Sequence, residues 1–129
     1  MEAVFVEVLD CAWGTTQFCF ADDGALIEIS IRSGEAEGRR GDRPRGAPST
    51  RALRAWLRDY EQGGGAEFPG PWKVPGASEF RRKVYRVVAD IPVGETLSYG
   101  EVAAQAGSPG ASRAVGTAMG ENPLPLVVP

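Results

Sequence analysis

The sequence predicts an α+β fold, in which a small antiparallel sheet with one helix precedes a unit built from helices. Three observations carry this. Short runs rich in Val, Phe and Ile flank an Asp-Asp-Gly turn near the amino terminus. Apolar residues then recur at helical spacing from Leu53 to Tyr60. Beyond a Pro/Gly-rich stretch, three further segments return to helical spacing, two of them led by a capping serine.

Taken in order, residues 3–9 (AVFVEVL) read as a strand and residues 15–21 (TTQFCFA) as a second. Asp22-Asp23-Gly24 is turn chemistry, since glycine tolerates the positive φ of a tight hairpin. Residues 25–32 (ALIEISIR) alternate apolar and polar and pair with the second strand. Residues 33–48 read as a solvated loop. A Ser/Thr cap then opens a helix with Leu53, Trp56, Leu57 and Tyr60 on its inner face, stopped by Gly63, Gly64 and Gly65. The extended stretch 68–76 (FPGPWKVPG) marks a boundary, giving domains 1–76 and 77–129.

In the second domain Ser78 caps a helix bearing Phe80, Val84, Val87 and Val88, which Pro92 and Gly94 end. Ser98 and Glu101 form a capping box for a short helix over 99–106. Gly107-Ser108-Pro109 turns the chain into a third helix over 110–119, with Ala111, Ala114, Val115, Ala118 and Met119 facing inward. The closing NPLPLVVP, 122–129, reads as a turn running into a short buried strand.

Composition narrows the chemistry. The chain has 129 residues, 43% hydrophobic and 24% charged, an ordinary globular balance. No apolar run approaches the roughly 20 residues that span a bilayer, and the first residues do not resemble a signal peptide, so a soluble, cytoplasmic protein is expected. Residues 1–72 hold 8 basic and 12 acidic side chains, and residues 73–129 hold 6 and 5, so the second part is the more tolerant of phosphate. There is no histidine, and the only cysteines are Cys11 and Cys19. Ser-His-Asp and Cys-His catalysis are therefore impossible within these residues, and no metal site is expected. Both cysteines read as small apolar residues on or beside strands.

Two short helices joined by a turn of about three residues point to a helix-turn-helix, with the third helix of the domain as its recognition helix. The outward face of that helix is Arg113, Gly116, Thr117 and Gly120: one long side chain among small ones. A major-groove reader normally carries several long polar side chains. A bare face with one arginine suits close approach to the minor groove and insertion into the base stack. The same pattern equally fits glycines that allow close helix packing beside an ordinary surface charge.

The stretch from Phe80 to Pro129 resembles, without a gap, the DNA-binding domain of the alkylguanine-DNA alkyltransferases, also called methylated-DNA–protein-cysteine methyltransferases. The resemblance rests on Ile91-Pro92, Gly94-Glu95-Thr96, Ser98-Tyr99-Gly100-Glu101, Arg113-Ala114-Val115-Gly116 with Ala118-Met119, and Asn122-Pro123 with Pro125. It implies a ribonuclease-H-like first domain and a winged-helix-like second one. It implies repair of DNA by direct reversal: the protein binds double-stranded DNA, flips an alkylated guanine from the minor groove, and moves the alkyl group from 6-O-methylguanine to a cysteine. No cofactor is implied.

The same resemblance implies the site. Arg113 matches the finger that fills the gap left by the flipped base. Tyr99 matches the residue that crowds the target phosphate, with Gly116 and Thr117 on the DNA-facing surface. Met119, Pro125 and Val128 match the lining of the guanine pocket. Asn122 matches the hinge that orders the catalytic hydrogen bonds. The acceptor Cys-His-Arg is expected immediately after Pro129, so the 129 residues themselves are expected to be inactive. Gly120 departs from family members that carry a second basic residue there, which implies weaker, less salt-dependent DNA binding.

Two other readings compete. Alkyltransferase-like proteins bind the lesion with another residue in place of the cysteine, but they usually consist of the DNA-binding domain alone. A helix-turn-helix regulator without a repair role would carry more base-reading side chains. With no later segment to cover them, Leu124, Leu126 and Val127 are expected to be partly exposed. The second domain would then be partly molten, or rescued by self-association through that surface.

Overall fold

The computed structural model describes residues 2–33 and 37–129. It divides the chain into two compact units, Met1–Pro75 and Gly76–Pro129. The first holds strands β1 (Phe5–Cys11), β2 (Gly14–Phe20), β3 (Leu26–Arg32) and β4 (Gly38–Arg40), followed by helix α1 (Thr50–Glu61). The second holds helices α2 (Glu79–Ala89), α3 (Tyr99–Gln105) and α4 (Ser112–Gly120).

The sheet has the order β3-β2-β1-β4, and every pairing is antiparallel. The β2–β3 hairpin closes where the sequence places its turn. Gly24 has φ +87°, and a Cβ there would stand 2.4 Å from the Arg45 carbonyl oxygen, so only glycine fits. The expected loop over 33–48 is corrected in part. Gly38–Arg40 forms an edge strand, with Val6 opposite Arg40 and Val8 opposite Gly38.

Cross-strand register puts Phe5, Glu7 and Leu9 on the face shared with Phe18 and Phe20. Helix α1 covers that face with Leu53, Trp56 and Leu57, all buried. Its start is set by Ser49, whose hydroxyl accepts from the Ala52 amide at 3.1 Å. Trp56 meets Phe68 edge-to-face at 5.2 Å, and Phe18 lies 6.2 Å from Trp56 and 6.4 Å from Phe68. The Pro/Gly-rich segment is pinned along β3: Leu26 donates to the Pro71 carbonyl at 2.9 Å and accepts from Lys73 at 3.0 Å.

Among the described residues, one charged side chain is buried in this core. Glu7 is 2% exposed. Arg43 donates to it at 3.1 Å and the Thr50 hydroxyl at 2.6 Å. Arg43 also donates to the Pro48 carbonyl at 2.6 Å and to Thr50 Oγ1 at 2.8 Å, with its guanidinium 4.7 Å from the centre of the Phe5 ring. One ion pair thus ties β1, the loop before α1 and the first turn of α1 together. Removing its cation strands the carboxylate.

Arg43→Ala is expected to destabilise the first unit by about 3 kcal/mol in urea unfolding, the low end for a broken buried pair because Arg43 keeps some solvent contact. Glu7→Gln, which keeps both partners within hydrogen-bonding reach, should cost clearly less. Equal losses for the two variants would show that the charge of Glu7 is not what the arginine answers.

Candidate nucleic-acid interface

Each helix of the second unit starts where its local chemistry dictates, except the last. Ser78 caps α2 by accepting from the Arg81 amide at 3.2 Å. Ser98 caps α3 with a complete capping box: its hydroxyl accepts from Glu101 N at 3.1 Å, and Glu101 returns an acceptor to Ser98 N at 3.1 Å. The Ser98 amide, and after it the Ser98 hydroxyl, hold the Glu101 carboxyl below the usual carboxylate range. Helix α4 has Ala111 at its cap position and no side-chain cap.

Helix α4 packs on both α2 and α3. Val115 and Ala118 are fully buried, while Ala111 and Met119 are half-buried. Ala114 is exposed, which corrects the inward placement read from the sequence. At nine residues the helix buries only a narrow stripe, and Ala114 lies outside it. On α2, Val84, Tyr85 and Val88 are buried, whereas Phe80 and Val87 are only half-buried.

Tyr85 was not among the expected core residues. Its hydroxyl donates to the Ala118 carbonyl at 2.7 Å. Burial pushes the phenol up, and the nearby Arg81 guanidinium opposes that shift. Arg81 in turn pairs with Glu121, just past α4, at 2.5 Å. The available signal was the spacing of Arg81 and Tyr85, four apart on one face of α2.

The expected contact residues divide as follows. Arg113 and Thr117 are exposed on the outer face of α4, with Gly116 between them on the same face. The Thr117 hydroxyl donates back to the Arg113 carbonyl at 3.2 Å, leaving its methyl group outward. Among the described residues no carboxylate pairs with Arg113. Tyr99, the first residue of α3, is 53% exposed, and the Cδ2–Cε2 edge of its ring lies against Gly116. A Cβ on Gly116 would sit 3.3 Å from that ring. The structure therefore brings Arg113, Gly116, Thr117 and Tyr99 onto one surface.

The segment after α4 departs from expectation. No strand forms there; the chain runs in turns. Asn122 organises it with both ends of its amide. Its Oδ1 accepts from Leu124 N at 2.9 Å and its Nδ2 donates to the Val128 carbonyl at 2.5 Å. Val128 N then donates to the Leu124 carbonyl at 2.9 Å. Leu126 takes φ +77°, a left-handed conformation that reverses the chain and is costly for leucine. Leu124 and Val128 are fully buried and Val127 is 8% exposed. The expected exposure of Leu124 and Val127 is thus overturned, while Leu126 stays half-buried. Of the expected pocket lining, Met119 and Pro125 are half-buried and Val128 is enclosed.

A family model described as 6-O-methylguanine DNA methyltransferase, DNA binding domain, matches residues 79–129. A variant of the Mycobacterium tuberculosis 6-O-methylguanine methyltransferase has a solved structure that superposes with a TM-score of 0.72 at 30% identity, covering 95% of this chain and 73% of that one. The chain belongs to the 6-O-methylguanine DNA methyltransferase family. A structure described as M. tuberculosis OGT in complex with DNA is similar at TM-score 0.70 and 30% identity, covering 95% of this chain and 73% of that one. The methylated-DNA–protein-cysteine methyltransferase of Mycolicibacterium paratuberculosis is 62% identical over 52 residues, which is 40% of this chain and 32% of that protein. The protein of the same name from Salmonella typhimurium is 44% identical over 73 residues, 57% of this chain and 43% of that protein. These matches to curated relatives span less than half of those relatives' lengths.

Asn122→Ala is expected to release the segment after α4. Loss of two hydrogen bonds should cost about 2 kcal/mol and speed hydrogen exchange at the Leu124 and Val128 amides, while amides of α2 stay protected. Unchanged exchange at Leu124 and Val128 would mean that packing, not the Asn122 amide, holds the segment.

Proposed function

We propose that this chain is the DNA-holding part of a repair protein that removes an alkyl group from 6-O-alkylated guanine. It enters duplex DNA from the minor groove, rotates the damaged base out of the stack, and presents it to an acceptor cysteine. The observation that carries this reading is the outer face of α4, where one long side chain, Arg113, stands among small ones beside the exposed ring of Tyr99. Family membership and the matched DNA-binding domain support it.

The roles follow from reach and shape. Gly116, Thr117 and Gly120 leave the helix surface low, so its backbone comes close to a narrow groove. Arg113 alone reaches the stack. Its planar guanidinium fills the vacated space and donates to the orphaned base. Tyr99, at the margin of the same surface, crowds the phosphate of the target nucleotide and favours its rotation. Asn122 fixes the carbonyl of Val128, and with it the direction in which the chain leaves the end of the segment. Met119 and Pro125 form the apolar side of the base pocket.

The chemistry belongs to the acceptor that the family resemblance places directly after Pro129. Its thiolate attacks the alkyl carbon, the carbon–oxygen bond breaks, and the electron pair goes to guanine oxygen six, which is left as ordinary guanine once protonated. The sulfur is left as a thioether and the protein is spent. Cys11 and Cys19 are poor substitutes. Burial pushes the Cys19 thiol up and away from the thiolate form. Cys11 is half-buried, with its sulfur 3.3 Å from Thr16 Oγ1. Both lie in the first unit.

Arg113→Ala should abolish base flipping, read by a fluorescent base analogue at the target position of a duplex, while retaining most non-specific binding. A variant that flips as well as the parent would remove Arg113 from its assigned role.

A further inference from the structure

We propose that Gly116 is a positioning residue for Tyr99: its missing side chain forms the seat on which the Tyr99 ring rests, and so sets the direction in which that ring meets DNA. The proposal rests on the DNA-binding reading given above and assigns Gly116 a task distinct from low relief on the helix surface.

What a Cβ would meet separates Gly116 from the other glycine on the same face. The backbone does not require glycine at either position, because neither Gly116 nor Gly120 has a positive φ. Around Gly120 nothing lies within 4 Å of a built Cβ. Around Gly116, among the described residues and apart from its own stretch of helix, the near atoms are those of the Tyr99 ring, Cε2 at 3.3 Å and Cδ2 at 3.5 Å. A glycine inside a helix weakens it relative to alanine. At Gly116 that weakness has a specific counterpart: a methyl group there would meet the tyrosine.

The ring, and not the backbone, must yield to such a methyl group. Tyr99 is the first residue of α3, and its backbone follows directly on the capping box of Ser98 and Glu101, whose two hydrogen bonds are both 3.1 Å. Helix α4 is held from behind by buried Val115 and Ala118. The ring is half exposed, so less packing resists its turning. A side chain at position 116 therefore leaves the fold intact and re-aims the tyrosine.

This predicts an unusual combination, a more stable protein that works less well. Gly116→Ala should raise the unfolding midpoint by about 2–4 °C. It should also weaken base flipping by about tenfold, the scale of one close pairwise coupling. The seat adds a cost that passes through the ring, so in a Tyr99→Ala background Gly116→Ala should cost clearly less flipping than it does in the parent. Equal flipping losses in both backgrounds would mean that the methyl group meets DNA directly, and the proposal falls. Unchanged flipping in Gly116→Ala overturns it as well. The seat has its own readout without DNA. The Gly116 Hα resonances should carry a ring-current shift that disappears in Tyr99→Ala; no such shift in the parent overturns the seat. A parent chain that flips nothing refutes the DNA reading alone, and the ring-current shift then upholds or overturns the seat.

Discussion

The carbonyl of Ala118 holds the second unit in register. It accepts the Tyr85 hydroxyl from α2, deep in the core, at 2.7 Å. A helical carbonyl so close to the end of α4 lacks a full intrahelical partner, and the nearest backbone donor, Glu121 N, is at 3.3 Å. Tyr85 supplies the stronger bond and so fixes the depth at which α4 ends. Arg81, one turn earlier on α2, pairs with Glu121 immediately beyond that end. Tyr85 thus grips the last turn of α4 from the inside and Arg81 ties its end at the surface, and neither occupies the outer face.

That freedom allows the outer face to be so bare. A helix that must hold itself in place by both sides cannot afford glycines and a single arginine on one of them. Here the inner stripe of Val115 and Ala118 and the grip of Tyr85 do the holding. Beyond the helix, Asn122 takes over, using both ends of its amide to fold the following segment back on itself. Leu126 bears a left-handed backbone at the reversal, and the burial of Leu124 and Val128 on either side offsets that cost. Anchors and exposed surface are consecutive in sequence because one short helix carries both.

What was legible in the sequence is what local chemistry determines. The serines at 49, 78 and 98 mark three helix starts because a hydroxyl cap acts within three residues of itself. The hairpin turn at Gly24 is equally local. Strand β4 was missed because Gly38–Arg40 has no apolar alternation and pairs only through its backbone with β1. Glu7 looks like an outward residue of a strand until Arg43 and Thr50 arrive from far along the chain. Ala114 was misplaced because a helical pattern names a face without its width. The fate of Leu124 and Val127 could not be read at all, since it depends on the Asn122 hydrogen bonds and on a positive φ at a leucine. The site residues came from the resemblance; the structure adds that Tyr99 and Gly116 are in contact.

The central claim is that this surface meets DNA from the minor groove. A face with one long side chain has little to read in the major groove, where each base pair offers a pattern that needs several donors and acceptors to recognise. In the narrower minor groove, low relief and one insertable arginine suffice. Groove competition tests this directly. Binding of the chain to a duplex with one 6-O-methylguanine flanked by A·T pairs is measured with netropsin filling the minor groove, and separately with methyl green filling the major groove. Displacement by netropsin and indifference to methyl green is the predicted result. Displacement by methyl green with no effect of netropsin would contradict the account.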